Sequence, residues 1–345
     1  GAAGLSADEI SSRAESLGAE LGTGSARDMA WITLRSLSDA AYLQPALKLL
    51  ADVINRPDFN EKDFERERER TQVAIRRSEQ SPATVAEYTF FESTYGEHPY
   101  APRPGGTVES IAALELDQIK AFYKQYYVAR NAVFSIVGDL DRKAAEQLVE
   151  QVTGQLPAGK RAPAVASVPV LSSAQQQRVY HPSTQTHVRM GAPGMHRGDP
   201  DYFPLYVGNH VLGGGGLVSR LFKEVREKRG LSYSVNSYFS PMDQNGPYLL
   251  SLQTRNDQVD ESLTVLQATL QDFVDKGPTE KELLAAKKNI TGGFPLKIAS
   301  NSSILDYLNV IGFYDLPLDY LEVFNDRIMA VTREQIIDAY QRRVS

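Results

Sequence analysis

An α+β fold built as two homologous domains is predicted by three features of the sequence. A Pro- and Ala-rich stretch without a stable period, PAGKRAPAVASVPV at 157–170, divides the chain. Helical segments on its two sides recur in the same order at nearly one offset. Short runs of period-two alternation lie among those helices and are outnumbered by them. The expected organisation is a domain over 1–156, a linker over 157–170 and a second domain over 171–345, each an antiparallel-rich sheet with helices packed on it.

In chain order, GAAGLSADEI has neither an initiator Met nor the basic and apolar regions of a signal peptide, so sequence ahead of Gly1 is expected. MAWITLRSLS (29–38) alternates as a strand. QPALKLLADVINRPDF (44–59) is a helix rich in Leu, Ala and Val, followed by the charged helix NEKDFERERERTQVAI (60–75). Its ERERER run sets unlike charges at i,i+3 and like charges at i,i+4, the pattern of a solvated face. LELDQIKAFYKQYY (114–127) is a helix with Asp117 as its cap and Ile and Tyr on one side, and NAVFSIVGDL (131–140) is a strand.

Beyond the linker, QTHVRMGAP (185–193), LSYSVNSYFS (231–240) and PYLLSLQTR (247–255) read as strands. ESLTVLQATLQDFVDKGP (261–278) and TEKELLAAKKNI (279–290) repeat the 44–75 pair about 219 residues later. VTREQIIDAYQRRV (331–344), capped by Thr332, repeats 114–127 at an offset of about 215. Residues 1–20 align with 213–232 in this scheme. The first half is therefore expected to be preceded by a strand and helix matching 175–212, and the second to be followed by a strand matching NAVFSIVG.

With 345 residues, 42% of them hydrophobic, the chain can fill two ordinary cores. A net charge of −6 offers no general attraction for nucleic acid or anionic lipid. The absence of cysteine excludes disulfides and thiolate zinc cages and leaves the compartment open. The longest apolar runs fall far short of the roughly 20 residues that cross a bilayer, so no membrane span is expected.

The block LGGGGLVSRLFKEVREKRGLSYSV (212–235) is the candidate site. It is not a phosphate loop, because Gly216 is followed by Leu217 and Val218 and not by Lys and Ser or Thr. Two accounts of Gly213, Gly214, Gly215 and Gly216 stay open: bare backbone whose N–H groups meet a ligand, and close packing of a helix on its sheet. Arg226 sits one turn after Phe222 near the end of a helix that Gly230 can stop, where solvated charge is the default. Tyr233 shares strand parity with Leu231 and Val235, which predicts a half-buried ring. If guanidinium and phenol converge, they make donors for a peptide carbonyl or the oxyanion formed from it. The five histidines, His98, His181, His187, His196 and His210, show no ligand spacing, and His98 reads as a structural loop residue.

The long block RGDPDYFPLYVGNHVLGGGGLVSRLFKEVREKRGLSYSV, with LSADEISSRAESLGAEL, YGEHPYAPRPGGTVESI and YYVARNAVFSIVGDLD in the first half, resembles the pitrilysin or insulinase-like family of zinc metallopeptidases, in its two-domain, processing-peptidase-like branch. The resemblance covers essentially the whole chain. It implies duplicated α+β domains in a clamshell, with an extended peptide held as an added strand. It also implies zinc on an H-x-x-E-H helix, which would fall ahead of residue 1, and a third ligand, a glutamate, on a later helix. Aligning ERERTQVAIRR (67–77) with the family pattern puts Ala74 at that glutamate's position, and Glu65, Glu67 and Glu69 would need a shift of at least five residues to replace it.

The resemblance therefore implies no metal ligand on this chain and Zn2+ on a partner: a homologous H-x-x-E-H subunit in a bacterial heterodimer. In that pair this chain would bring Arg226 and Tyr233 to the partner's site and Gly213–Gly216 as a lip for the peptide. The expected function is that of a non-catalytic, substrate-binding subunit of a zinc metalloendopeptidase acting on extended peptide or unfolded protein. The expected compartment is the periplasm, with the cytoplasm as the alternative. Two rival accounts are an active homodimeric peptidase whose metal helix precedes Gly1, and a purely structural core subunit.

Overall fold

The computed structural model describes residues 1–344. Grouped by packing, they form two compact units, each taking in segments from both sides of the linker.

The first unit comprises Gly1–Arg77, Arg103–Ala164 and Asn301–Gly312. Helix α1 (Ala7–Ser16) starts at a capping box in which Ser6 accepts from the Glu9 amide and Glu9 accepts from the Ser6 amide. Strands β1 (Glu20–Ser25) and β2 (Ala30–Arg35) pair antiparallel, Glu20 opposite Arg35. Helices α2 (Ala40–Asn55) and α3 (Glu61–Ser78) follow. The core gathers Leu47 and Leu50 of α2 with Val152, and Leu21, Ile32 and Leu34 of the hairpin pack on it. Along α3 the i,i+3 pairs form as the charge pattern predicts, Arg66 with Asp63 at 2.8 Å and Arg68 with Glu65 at 2.5 Å.

Two expectations for this unit are corrected. Residues 131–140 form no strand: among the described residues no ladder is available to them, although Phe134 still packs against the Leu47 cluster. Strand identity belongs to the partner as much as to the segment. The helix over 114–127 is α6 (Leu116–Tyr126, after α5 at Val108–Ala112), and its N-cap is Glu115, whose amide donates to Gln118; Asp117 lies in the first turn.

Helix α4 (Pro82–Tyr95) lies in the second unit, which comprises Ser78–Pro102, Val165–Ser300 and Phe313 onward. After α7 (Arg142–Thr153) and the extended 157–184 stretch come β3 (Gln185–Pro193) and α8 (Tyr202–Asn209). Then follow β4 (Ser232–Phe239), β5 (Pro247–Arg255), α9 (Val259–Lys276) and α10 (Glu280–Lys297). The chain ends with α11 (Asn301–Phe313), α12 (Tyr320–Ala330) and α13 (Arg333–Arg343), the last capped by Thr332 as expected. The sheet is antiparallel in the order β3-β5-β4. Leu250, Leu252 and Val235 bury one face of it, and Leu205, Leu266, Phe273, Ile336 and Tyr340 from the helices complete the core.

The repeat carries an exchange. α4 precedes the linker yet packs with β3 in the second unit, while α11, which starts 219 residues later, follows the linker and groups with the first. Tyr95 and Tyr100 fix the first of these placements, the Tyr95 hydroxyl donating to the Asn245 carbonyl (3.1 Å) and the Gln244 amide to the Tyr100 hydroxyl (2.9 Å). No described helix is long and apolar enough to cross a membrane.

Candidate functional site

α8 runs directly into a π-wound turn, His210–Gly214, a winding that recurs where helices are locally widened at functional sites. The turn is bolted to β4 by a buried pair: Asn209 Nδ2 donates to the Ser237 carbonyl (3.0 Å) and Ser237 Oγ donates to Asn209 Oδ1 (2.6 Å). The backbones approach so closely that a Cβ on Gly213 would lie 2.3 Å from Ser237 Oγ and 2.6 Å from its amide nitrogen. One on Gly214 would lie 2.6 Å from Asn209 Nδ2, and one on Gly215 would lie 2.5 Å from the His210 carbonyl. Packing therefore accounts for these three glycines. Gly216 has open space around it and φ +62°, the left-handed conformation that lets the chain turn. The turn leaves Gly214, Gly216, Leu217 and Val218 exposed.

Arg220, 16% exposed, locks the far side of the turn. Its Nε and Nη2 grip Glu282 at 2.9 and 2.7 Å, Nη2 also donates to the Gly277 carbonyl, and the guanidinium lies over Phe273. A cavity of about 470 Å3 beside it is lined by Asp272, Lys276 and Arg333 among others. These charges are engaged, Lys276 with Asp272 and Arg333 with the carbonyls of Pro278 and Lys276. Burial pushes the Glu282 carboxyl up, but Arg220 and the Thr279 amide and hydroxyl outweigh it and hold the pKa at about 2. A carboxylate depressed in the folded state gives stability that is complete above its unfolded value near 4.5 and is lost as pH falls toward 2. Thermal unfolding followed from pH 5 to pH 2 should show the wild type losing Tm more steeply than Glu282→Gln; parallel curves would remove Glu282 from the acid response.

From Phe222 to Glu227 the chain is again π-wound, and Gly230 at φ +64° ends the segment. This winding sets the Arg226 guanidinium 4.9 Å from the Phe222 ring centre, and the Tyr233 ring covers it at 4.4 Å. Tyr233 reaches that position through a β-bulge. Ser232 pairs with Thr254 and Val235 with Leu252, so one extra residue sits between them. The bulge overturns the parity expectation: Leu231 and Val235 are buried while Tyr233 is 82% exposed. Neither the Arg226 guanidinium nor the Tyr233 hydroxyl has a hydrogen-bond partner among the described residues. The arrangement is a stacked cation with free N–H donors beside a free phenol, suited to a carbonyl or a developing oxyanion. The one-turn spacing of Phe222 and Arg226 is visible in the sequence; that the ring stacks on the guanidinium is what the structure adds.

The residues present do not fit a zinc centre. Ala74 presents a methyl group on the exposed side of α3, Glu65 is paired with Arg68, and Glu67 with Arg66 and Arg70. Among the described residues no three His, Cys, Asp or Glu side chains are grouped to hold a metal ion. His98 is buried, with Nδ1 accepting from the Tyr100 amide and Nε2 2.8 Å from the Ala166 carbonyl, so both ring nitrogens are taken up by the backbone. Burial pushes the His210 imidazole below its ordinary value.

Residues 113–290 match the family described as Peptidase M16 inactive domain, and residues 1–103 match Insulinase (Peptidase family M16). The crystal structure of a peptidase M16 inactive domain from Pseudomonas fluorescens is 38% identical, with a TM-score of 0.96 over 100% of this chain and 82% of that one. An uncharacterized zinc protease of Streptomyces coelicolor is 28% identical over 87% of this chain and 66% of its own length. A protein of Helicobacter pylori named as a non-peptidase homolog is 27% identical over 89% and 70% respectively. The chain thus spans about two thirds of the length of these two relatives.

Proposed function

The chain belongs to the M16, or insulinase, peptidase family, and on that premise we propose that it is the non-catalytic, substrate-binding subunit of a heterodimeric metalloendopeptidase. The observation that carries the proposal is the contrast between its two halves: a preformed Arg226–Tyr233 donor pair in the second, and Ala74 where the first would need a metal-binding carboxylate. The similarity of residues 113–290 to an M16 domain described as inactive supports it.

In the proposed pair, a homologous subunit with an H-x-x-E-H helix holds the zinc, which when bound supplies the activated water. This chain orients the substrate. The Arg226 N–H groups and the Tyr233 hydroxyl point at the scissile carbonyl, and the strip from Gly214 to Val218 borders the peptide. Stacking between two rings fixes the guanidinium before substrate arrives, so its donors need little reorganisation as charge builds on the carbonyl oxygen. Periplasmic location is part of the same proposal; recovery of the protein in the cytoplasmic fraction after osmotic shock would remove it.

Binding tests the substrate role without a partner. A labelled, unstructured peptide should bind the purified chain by fluorescence anisotropy, and Arg226→Ala should weaken that binding about tenfold. Equal affinity for both proteins would sink the assigned role of Arg226.

A further inference from the structure

The outward face of the second unit's sheet holds a second cationic position. Along β3, Val188 is buried with Leu252 and Val235, so His187 and Arg189 lie on the opposite face. The register places Arg189 opposite Ser251 and Ser251 opposite Asn236, a polar row across all three strands. His187 stands opposite Gln253 in the next row. The bulge leaves both Tyr233 and Ser234 exposed at the end of β4, where the Tyr233 ring lies against the Arg226 guanidinium.

Arg189 is half-buried, and its Nη1 donates to Ser251 Oγ at 2.9 Å and to the Val188 carbonyl at 3.2 Å. No carboxylate among the described residues pairs with it. Glu87 of α4 acts on the neighbouring Tyr238 phenol, which burial raises first and Arg189 opposes, but it forms no ion pair with Arg189. The imidazole of His187 is pushed down by burial and then by Arg189 and His181, so the patch joins one fixed cation to a neutral ring. A partly desolvated guanidinium left without a counter-charge is costly, and an anion would relieve it.

The geometry points to Arg189, with Ser251, Asn236 and His187 beside it, as a carboxylate subsite for the peptide whose carbonyl the Arg226–Tyr233 stack holds. The inference rests on that substrate-binding proposal and adds a preference to it. Neighbouring strands lie about 4.8 Å apart, so β3 is about 10 Å from β4, and an extended peptide advances about 3.4 Å per residue. Tyr233 also lies three residues along β4 from Asn236, about 7–10 Å, so the diagonal is about 12–14 Å and the recognised carboxylate lies about four residues from the held carbonyl. It comes from an Asp or Glu side chain or from the peptide's own C-terminus.

The test is anisotropy on the full purified chain with labelled, unstructured peptides that carry Glu or Gln at successive positions, each as free acid and as amide. At low ionic strength one carboxylate position should bind about tenfold tighter than its neutral counterpart. A preference that follows Glu over Gln identifies the side chain, and one that follows acid over amide identifies the chain end. Arg189→Ala should shrink the preference to less than twofold. Arg189→Lys, which keeps the charge without the planar fork, should retain only part of it. Arg226→Ala should weaken acidic and neutral peptides alike. Equal binding of both by the wild type, or a preference that survives Arg189→Ala, overturns the subsite while leaving the parent proposal intact if Arg226→Ala still weakens both. Absence of any peptide binding overturns the two together. Because the first comparison alters only the peptide, it stands even if an Arg189 variant fails to fold.

Discussion

Arg226→Ala should lower turnover of the reconstituted pair by about 10²–10³-fold, the usual consequence of losing one preorganised donor to an oxyanion. Its effect on stability should be small, because the side chain stacks at the surface between Phe222 and Tyr233 and carries no ion pair among the described residues. A pair of exposed cation–π contacts is worth about 1–2 kcal/mol. Tyr233→Phe separates stacking from donation: it keeps a ring over the guanidinium and removes only the hydroxyl. If the phenol donates to the transition state, this variant should lose activity at an unchanged melting temperature. If Arg226→Ala instead turned over at the wild-type rate, the pair would be surface decoration.

Gly213→Ala should destabilise the second unit by about 3 kcal/mol, at the upper end of what overpacking usually costs. The added methyl would lie 2.3 Å from Ser237 Oγ, 2.6 Å from the Ser237 amide nitrogen and 2.7 Å from Leu221 Cδ1. A flexible side chain could yield, but a backbone atom in a central contact cannot. Ser237 is held in register opposite Leu250 and is locked to Asn209 in both directions. Gly216→Ala makes the comparison, with open space around the new methyl and only the φ +62° backbone against it, for a cost of about 1 kcal/mol. Denaturant unfolding of the two variants should rank them in that order. Equal stabilities would mean that the π turn repacks freely, and the tie between the glycine strip and β4 would lose its significance.

Sequence and structure agree where one residue's environment is set by its near neighbours. The strands at 185–193, 231–240 and 247–255 and the Thr332 cap follow from alternation and capping chemistry. Disagreements arise where a distant segment decides. NAVFSIVGDL has strand composition but no ladder among the described residues, whereas ELGTGS, with two glycines and no clear alternation, is a strand because β2 pairs with it. The bulge at Ser232–Val235 reverses the side on which Tyr233 emerges, and a one-residue slip of that kind leaves no mark in a period-two pattern. Nothing in the repeat tells that α4 packs with the unit beyond the linker and α11 with the unit before it. For the site, Arg226 and Tyr233 could be located by resemblance and spacing. Their convergence depends on π winding and the bulge together, and neither follows from local propensity.

The central claim is that this chain grips a peptide carbonyl yet cannot ligate the metal that cuts beside it. Elemental analysis of the purified, partnerless protein, run alongside cleavage of an unstructured peptide, tests that most directly. The expected result is zinc far below one atom per chain and no cleavage until a metal-bearing homologue is added. Stoichiometric zinc that chelation removes together with proteolysis would contradict it.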